Sequence, residues 1–308
     1  MRGFRSRVDD AWLCGNRRAA NRGLIMKPKA LSAALLLPVA LLLALTAVGC
    51  GSQLDNGNVD HQEHQVTVPD STWKRVSAIR TFFAHQSVGG NLLAGVRDLQ
   101  EREGAARLPI VDIGTTAVPG GPVLAHLYVG QNGDPMSKIR GFRQALEGGF
   151  GDTIDVAALK FCFWDIQKDT DVEKVFEAYT QTIADLQTRF PRITFVHVTV
   201  PLFTRDDDWR AGVRRLLSMD VPRTLDNAKR NALSERIRAR YSGREPIFDL
   251  EAFVAAPTRE DGGIPYLRPD YTYDGGHLNE SARAAGAATF LNVVARASTR
   301  PLHGSPAD

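Results

Sequence analysis

The chain is poor in cysteine, with three in 308 residues, and beyond residue 49 it holds no run of basic residues and no internal repeat. Each absence removes a class of protein. Cys14 and Cys50 lie before or at the end of an apolar leader, and only Cys162 falls in the body, so no disulfide framework is available. Cys162 stands inside an apolar run, the setting of a small buried hydrophobe and not of an activated thiol. Eight of the 38 Lys/Arg and two of the 35 Asp/Glu fall in residues 1–49, so the remainder carries 30 against 33 and the net charge moves from +3 to −3. A body of that sign lacks the electrostatic footprint of a nucleic-acid binder. With 43% hydrophobic and 24% charged residues, wholesale disorder and fibrous architecture are poor descriptions, and one folded domain with tails is expected.

Apolar residues are concentrated at residues 31–48, which carry no charge and follow Lys27 and Lys29 directly. A positive end, an apolar middle and the small residues Ala47 and Gly49 before Cys50 have the order of a secretion signal. The arrangement resembles a bacterial lipoprotein signal, which implies removal of residues 1–49 and acylation of Cys50. An uncleaved membrane helix is the other reading, since the run approaches the ~20 residues needed to span. The stop at Cys50 and the polar segment directly after it favour the lipoprotein. Met26 is the expected start, because residues 1–25 contain six Arg without periodicity and form neither a signal nor a domain. The protein is then expected in the cell envelope, lipid-anchored through Cys50 and facing the periplasm or the exterior, with ~0.8 kcal/mol of membrane affinity per buried methylene. Residues 50–70 have the composition of a flexible spacer, and His61 and His64 within it read as solvated linker residues.

From residue 71 to 297 strand-like and helix-like segments alternate, which predicts parallel strands in one α/β domain, with residues 298–308 as a tail. The predicted strands are 80–85, 108–113, 154–163, 193–200 and 246–250; the helices between and after them are 88–100, 135–146, 171–190, 225–241 and 279–297. The third of these units has Val172, Val175, Phe176, Tyr179, Ile183 and Leu186 on one helix face, with Thr170 and Glu173 as a capping box. The run Val156 to Phe163 is nearly continuous in apolar residues and should be a central strand covered on both sides. The expected architecture is therefore a three-layer α/β/α sandwich around a five-stranded parallel sheet.

In such sheets ligands collect outside the carboxyl ends of the strands. Ser87 falls on the turn after the first strand, where a hydroxyl stands clear of the sheet and meets a helix amino end. Asp274 and His277 lie three apart in a Gly-rich turn before the last helix, close enough for the carboxylate to orient the imidazole. Hydroxyl, base and orienting acid are the parts of a nucleophilic acyl-transfer site. Each alone has an ordinary explanation, Ser87 as a helix N-cap and Asp274 as a turn cap, while Asn279 and Glu280 already explain the start of the last helix. Their joint position at the strand ends is what favours catalysis.

The segment resembles a divergent member of the SGNH/GDSL-like hydrolase superfamily over most of residues 80–297. The Asp-Gly-Gly-His-Leu-Asn sequence at 274–279 carries the likeness most strongly; at the first block His85-Gln86-Ser87 stands where the family has Gly-Asp-Ser. The resemblance implies a flavodoxin-like strand order 2-1-3-4-5, hydrolysis or transfer of acyl esters without a cofactor or metal, Ser87 as nucleophile, and Asp274 with His277 as the couple that activates it. In that order the last strand lies three places from the first, or ~14 Å. The 23 residues from 251 to 273 span this readily.

The resemblance further implies an oxyanion hole from the Ser87 amide, a glycine amide after the second strand and an asparagine after the third. Gly130 or Gly133 is available for the glycine. In place of the asparagine the chain has Trp164-Asp165, and an ionised carboxylate ~4 Å from an oxyanion would cost ~4 kcal/mol at an effective dielectric of ~20. That cancels a donor worth ~3 to 4 kcal/mol. Either Asp165 is protonated, or it turns away to pair with a cation or amide, or Asn132 (preferred, for its Gly-rich loop) or Asn91 donates instead. His85 reads as a buried structural histidine, or else a supporting group or alternative base. A metal site from His85, His126, Asp165 and His277 lacks any ligand spacing. The expected partner is a small-molecule or glycan ester, with O-acylated envelope glycans suggested by the compartment. The alternative is a catalytically silent lipoprotein that binds glycan or a partner protein through the same cleft.

Overall fold

A computed structural model describes residues 66–104, 108–117, 119–217, 219–257 and 261–298, all within the second of the two units into which the chain divides, 61–308. The signal, Cys50, the spacer through residue 65 and the tail from 299 lie outside the described residues. Among the described residues no helix is long and apolar enough to cross a membrane.

The elements in chain order are α1 (Asp70–Val76), β1 (Arg80–His85), α2 (Val88–Glu103), β2 (Ile110–Asp112), β3 (Val123–Tyr128), α3 (Pro135–Ala145), β4 (Val156–Leu159), α4 (Val172–Arg189), β5 (Thr194–Val198), α5 (Trp209–Leu216), α6 (Pro222–Tyr241), β6 (Ile247–Phe248), α7 (Leu250–Val254) and α8 (Glu280–Ala297). The sheet has six parallel strands in the order β2-β3-β1-β4-β5-β6, so the expected five-stranded sheet is corrected to six. The segment at 108–113 is a three-residue edge strand, and the strand beside β1 is Val123–Tyr128, where the sequence pattern predicts a loop. With the edge strand set aside, the other five run in the order 2-1-3-4-5.

Alternation along the strands divides the interior in two. Phe83, Val156 and Ala158 face α1, α2 and α8 in one core, while Phe82, Ala157 and Leu159 face α3, α4 and α6 in the other. Strand β4 is buried on both faces, which explains its unbroken apolar sequence. It ends at Leu159 instead of Phe163: Lys160 still donates its N–H to the Ala84 carbonyl, and a short helical turn at Phe163–Asp165 follows.

Local signals set the helix starts. Asp134 accepts from Ser137 N at the head of α3, with Pro135 in the first turn, and Asn279 accepts from Ala282 N at the head of α8. Helix α4 is capped by Asp171 through Lys174 N, not by the Thr170/Glu173 box; the Thr170 hydroxyl instead accepts from Gln167 N. The domain also starts before residue 71. Val68 is buried and its N–H donates to Glu103, so the boundary drawn at 70 cuts into the α1 packing.

Candidate active site

The turn after β1 carries the strongest backbone feature of the site. Ser87 has φ 50° and ψ −109°, and is the sole non-glycine residue at positive φ among the described residues. Its side chain makes no capping bond to α2, so the N-cap explanation does not account for it. Such conformations cost about 1 to 3 kcal/mol and persist where surrounding contacts impose them. Three contacts do so here. Lys160 Nζ donates to the Gln86 carbonyl at 2.8 Å, the Gln86 amide donates to the Val129 and Gly130 carbonyls at 3.2 Å each, and Gly89 packs directly on His85. A Cβ at Gly89 would come within 2.4 Å of the His85 Cβ, so only glycine permits the approach. The pattern Ser-x-Gly at 87–89 after a strand was the available signal for this tight turn.

The second half of the site is the turn before α8. Asp274 Oδ1 accepts from the N–H groups of Gly276 at 2.9 Å and His277 at 2.8 Å, and from the Thr272 hydroxyl at 3.2 Å. Gly275, at φ 87°, presses against the Thr204 hydroxyl with no room for a side chain, and Gly276 does the same against Phe203 and Phe163. Asn91 of α2 accepts from Leu278 N at 3.2 Å and ties this turn to the helix that Ser87 starts.

These two turns bring Ser87, His277 and Asp274 into one chain of contacts. Ser87 Oγ lies 2.5 Å from His277 Nε2, and His277 Nδ1 lies 2.6 Å from Asp274 Oδ2. An ionised carboxylate can only accept, so Nδ1 carries the ring proton and Nε2 presents its lone pair to the serine hydroxyl. Partial burial pushes the Asp274 carboxyl up, but the backbone N–H and ring of His277 and the Gly276 N–H outweigh it and leave the group at about 2. The imidazole stands edge-on to Phe163 at 5.5 Å between ring centroids, on an open rim where 39% of its side chain is exposed.

Asp165 is turned away from the rim. Its carboxylate forms a fully buried ion pair with Lys138 at 2.9 Å and accepts from Cys162 N at 2.6 Å and Gly133 N at 3.0 Å. Gly133 is therefore not an open donor. The N–H groups of Ser87 and Gly130 and the Asn132 amide nitrogen meet no acceptor among the described residues. Asn132 uses its carbonyl oxygen to accept from Lys138 Nζ at 2.9 Å.

His85 lies buried beneath the first turn of α2, with Nε2 3.3 Å from His126 Nδ1 and with Nδ1 unpartnered. Burial, followed by the charges of His126, Lys160 and Lys138, holds it well below the usual imidazole range. His126 belongs to β3 instead of a loop. His85 pairs with His126, Asp165 with Lys138 and His277 with Asp274, so the four groups weighed as a metal site do not converge; no three-residue metal cluster occurs among the described residues. Lys138 and Lys160, which also reach this site, carry no signal of that placement in the sequence.

No protein-family model matches the chain, and no curated protein matches it. Among solved structures, the chain is similar to a candidate platelet activating factor from Streptococcus pneumonia, with 15% identity over 72% of this chain and 90% of that one and a TM-score of 0.42. It is also similar to a candidate lipolytic protein of the G-D-S-L family from Desulfitobacterium hafniense DCB-2, with 9% identity over 61% of this chain and 99% of that one and a TM-score of 0.37. At these values the roles of individual residues rest on this chain's own geometry.

Proposed function

We propose that the chain is a divergent SGNH/GDSL-like serine hydrolase, an esterase or acyltransferase acting on acyl esters. The carrying observation is the relay from Ser87 Oγ through His277 to Asp274, at 2.5 and 2.6 Å, between residues 190 positions apart. Ser87 Oγ attacks the ester carbonyl carbon while its proton passes to His277 Nε2; Asp274 holds the ring and balances the imidazolium. The tetrahedral oxyanion is met by the N–H groups of Ser87 and Gly130 and by the Asn132 amide. His277 then returns the proton to the departing alkoxide, leaving an acyl-serine. Water or an acceptor hydroxyl attacks the acyl carbon, giving up its proton through the same imidazole, and Ser87 is released.

Trp164, half exposed beside Phe203, gives the rim an apolar face for an acyl chain or the carbon face of a sugar ring. With a lipid anchor at Cys50 and an extracytoplasmic location, O-acylated envelope glycans are the substrate class we assign. The pairing of Asp165 with Lys138, which holds that carboxylate away from a developing oxyanion, supports the catalytic reading.

The test is steady-state hydrolysis of p-nitrophenyl acetate by the full chain and by Ser87→Ala. Turnover by the parent that the variant lacks is the expected result. Equal release by both, or none by the parent, would overturn the proposal.

A further inference from the structure

We propose that two buried lysines, Lys160 and Lys138, are positioning residues that align the oxyanion donors of this site, an inference that rests on the acyl-transfer reading above. Lys160 follows β4 with its side chain wholly buried, and its ammonium donates to the Gln86 carbonyl at 2.8 Å. That carbonyl and the Ser87 N–H belong to one peptide unit, and no peptide among the described residues is cis. In a trans peptide the two groups point opposite ways, so fixing the carbonyl fixes the direction of the N–H. The same bond holds the unit against the flip that would relieve the positive φ of Ser87. A charged donor on the carbonyl also polarises the peptide and strengthens its N–H as a donor.

Lys138 does the corresponding work for Asn132. Its Nζ, buried with Asp165 at 0% exposure for both side chains, lies 2.9 Å from Asn132 Oδ1. An ammonium can only donate, so this contact decides which end of the amide faces it and leaves Nδ2 outward as the open donor. Asp165 completes the device by accepting from Gly133 N in the same loop and from Cys162 N beside β4. The acid that stands in the loop after β4 thus serves to neutralise Lys138, and the asparagine donor comes from the loop after β3. Burial takes Lys160 down to about 8, which still leaves it mostly charged at neutral pH.

The test is kcat and KM for p-nitrophenyl acetate with the full chain and the variants Asn132→Asp and Lys160→Met. Asn132→Asp keeps an acceptor for Lys138 and removes the donor, at an exposed position where folding is not at issue. We expect kcat to fall about 100-fold or more in each variant, the loss typical of one oxyanion donor, with KM within about twofold. The thermal midpoint of Asn132→Asp should not fall. Parental kcat in Asn132→Asp would overturn the role of Lys138, and parental kcat in a folded Lys160→Met would overturn that of Lys160. If Lys160→Met does not fold, Lys160→Gln takes its place under the same criterion. A parent without turnover strikes the esterase reading and this inference together, whereas an active parent with unaffected variants strikes only this one.

Discussion

Replacing Asp274 by asparagine tests the tautomer argument, because it exchanges an acceptor for a donor with almost no change in shape. In the parent, Oδ2 lies 2.6 Å from His277 Nδ1 and Oδ1 accepts from the His277 and Gly276 N–H groups at 2.8 and 2.9 Å. An asparagine oxygen can keep the two backbone bonds, which puts its NH2 group against Nδ1. The ring must then accept there and carry its proton on Nε2, where it can no longer receive the Ser87 proton. The lost relay predicts a fall in kcat of about 10⁴, or ~5 kcal/mol of transition-state stabilisation. Stability should change far less. The Asp274 side chain is 56% exposed, so its depression to about 2 converts after solvent screening to no more than about 1 kcal/mol. That contribution is present above the unfolded carboxyl range near ~4 and is lost only as pH falls toward about 2. The assay is p-nitrophenyl acetate turnover at neutral pH beside a thermal melt of the same preparation. A kcat within tenfold of the parent, with the fold intact, would refute the reasoning.

Ser87→Gly should abolish turnover yet raise stability by about 1 kcal/mol, since glycine adopts positive φ freely and no cap is lost. In a domain of this size that is a rise of about 2 to 4 °C in thermal midpoint, and a fall would contradict the strain at this turn. Asp165→Ala should destabilise by about 3 to 5 kcal/mol, measured by urea unfolding, because it leaves the Lys138 ammonium buried and unpaired. Lys160 binds its proton more weakly folded, at about 8, than unfolded, near ~10.4, so the unfolded chain holds more protons between those values. Stability should accordingly rise with pH across that window, by up to about 3 kcal/mol. Lys160→Met should lack this rise, and parallel pH profiles for the two chains would contradict it.

The parallel α/β architecture was legible because β1, β4 and β5 are apolar runs followed by helices whose 3.6-residue period is plain, as at Val175, Tyr179 and Ile183. Strand β3 was not, although Val123 to Tyr128 is apolar enough; His126 and the surrounding glycines gave it the look of a loop. Helix α5 was hidden for another reason. It spans only eight residues, and although Trp209, Val213 and Leu216 recur at helical spacing they stay exposed and only Ala211 is buried, so the stripe is too short to stand out from a loop. At the site, Ser87, Asp274 and His277 could be picked out because their chemistry is short-range in sequence: a serine on a strand end, and an acid three residues from a histidine. Lys138 and Lys160 could not, since lysine in a sequence signals solvent. Their burial is set by contacts with Asp165, Asn132 and Gln86 that exist only after β1, β3 and β4 assemble. From the sequence, the acid at 165 reads as incompatible with an ionised role beside an oxyanion. Its cation, twenty-seven positions earlier, could not be named.

Mass-spectrometric mapping of a fluorophosphonate adduct on the full chain tests most directly whether the Ser87 hydroxyl is a nucleophile. The expected result is one adduct, on the peptide containing Ser87, strongly diminished in His277→Ala. An unlabelled Ser87 in a folded chain, or labelling that His277→Ala leaves unchanged, would contradict it.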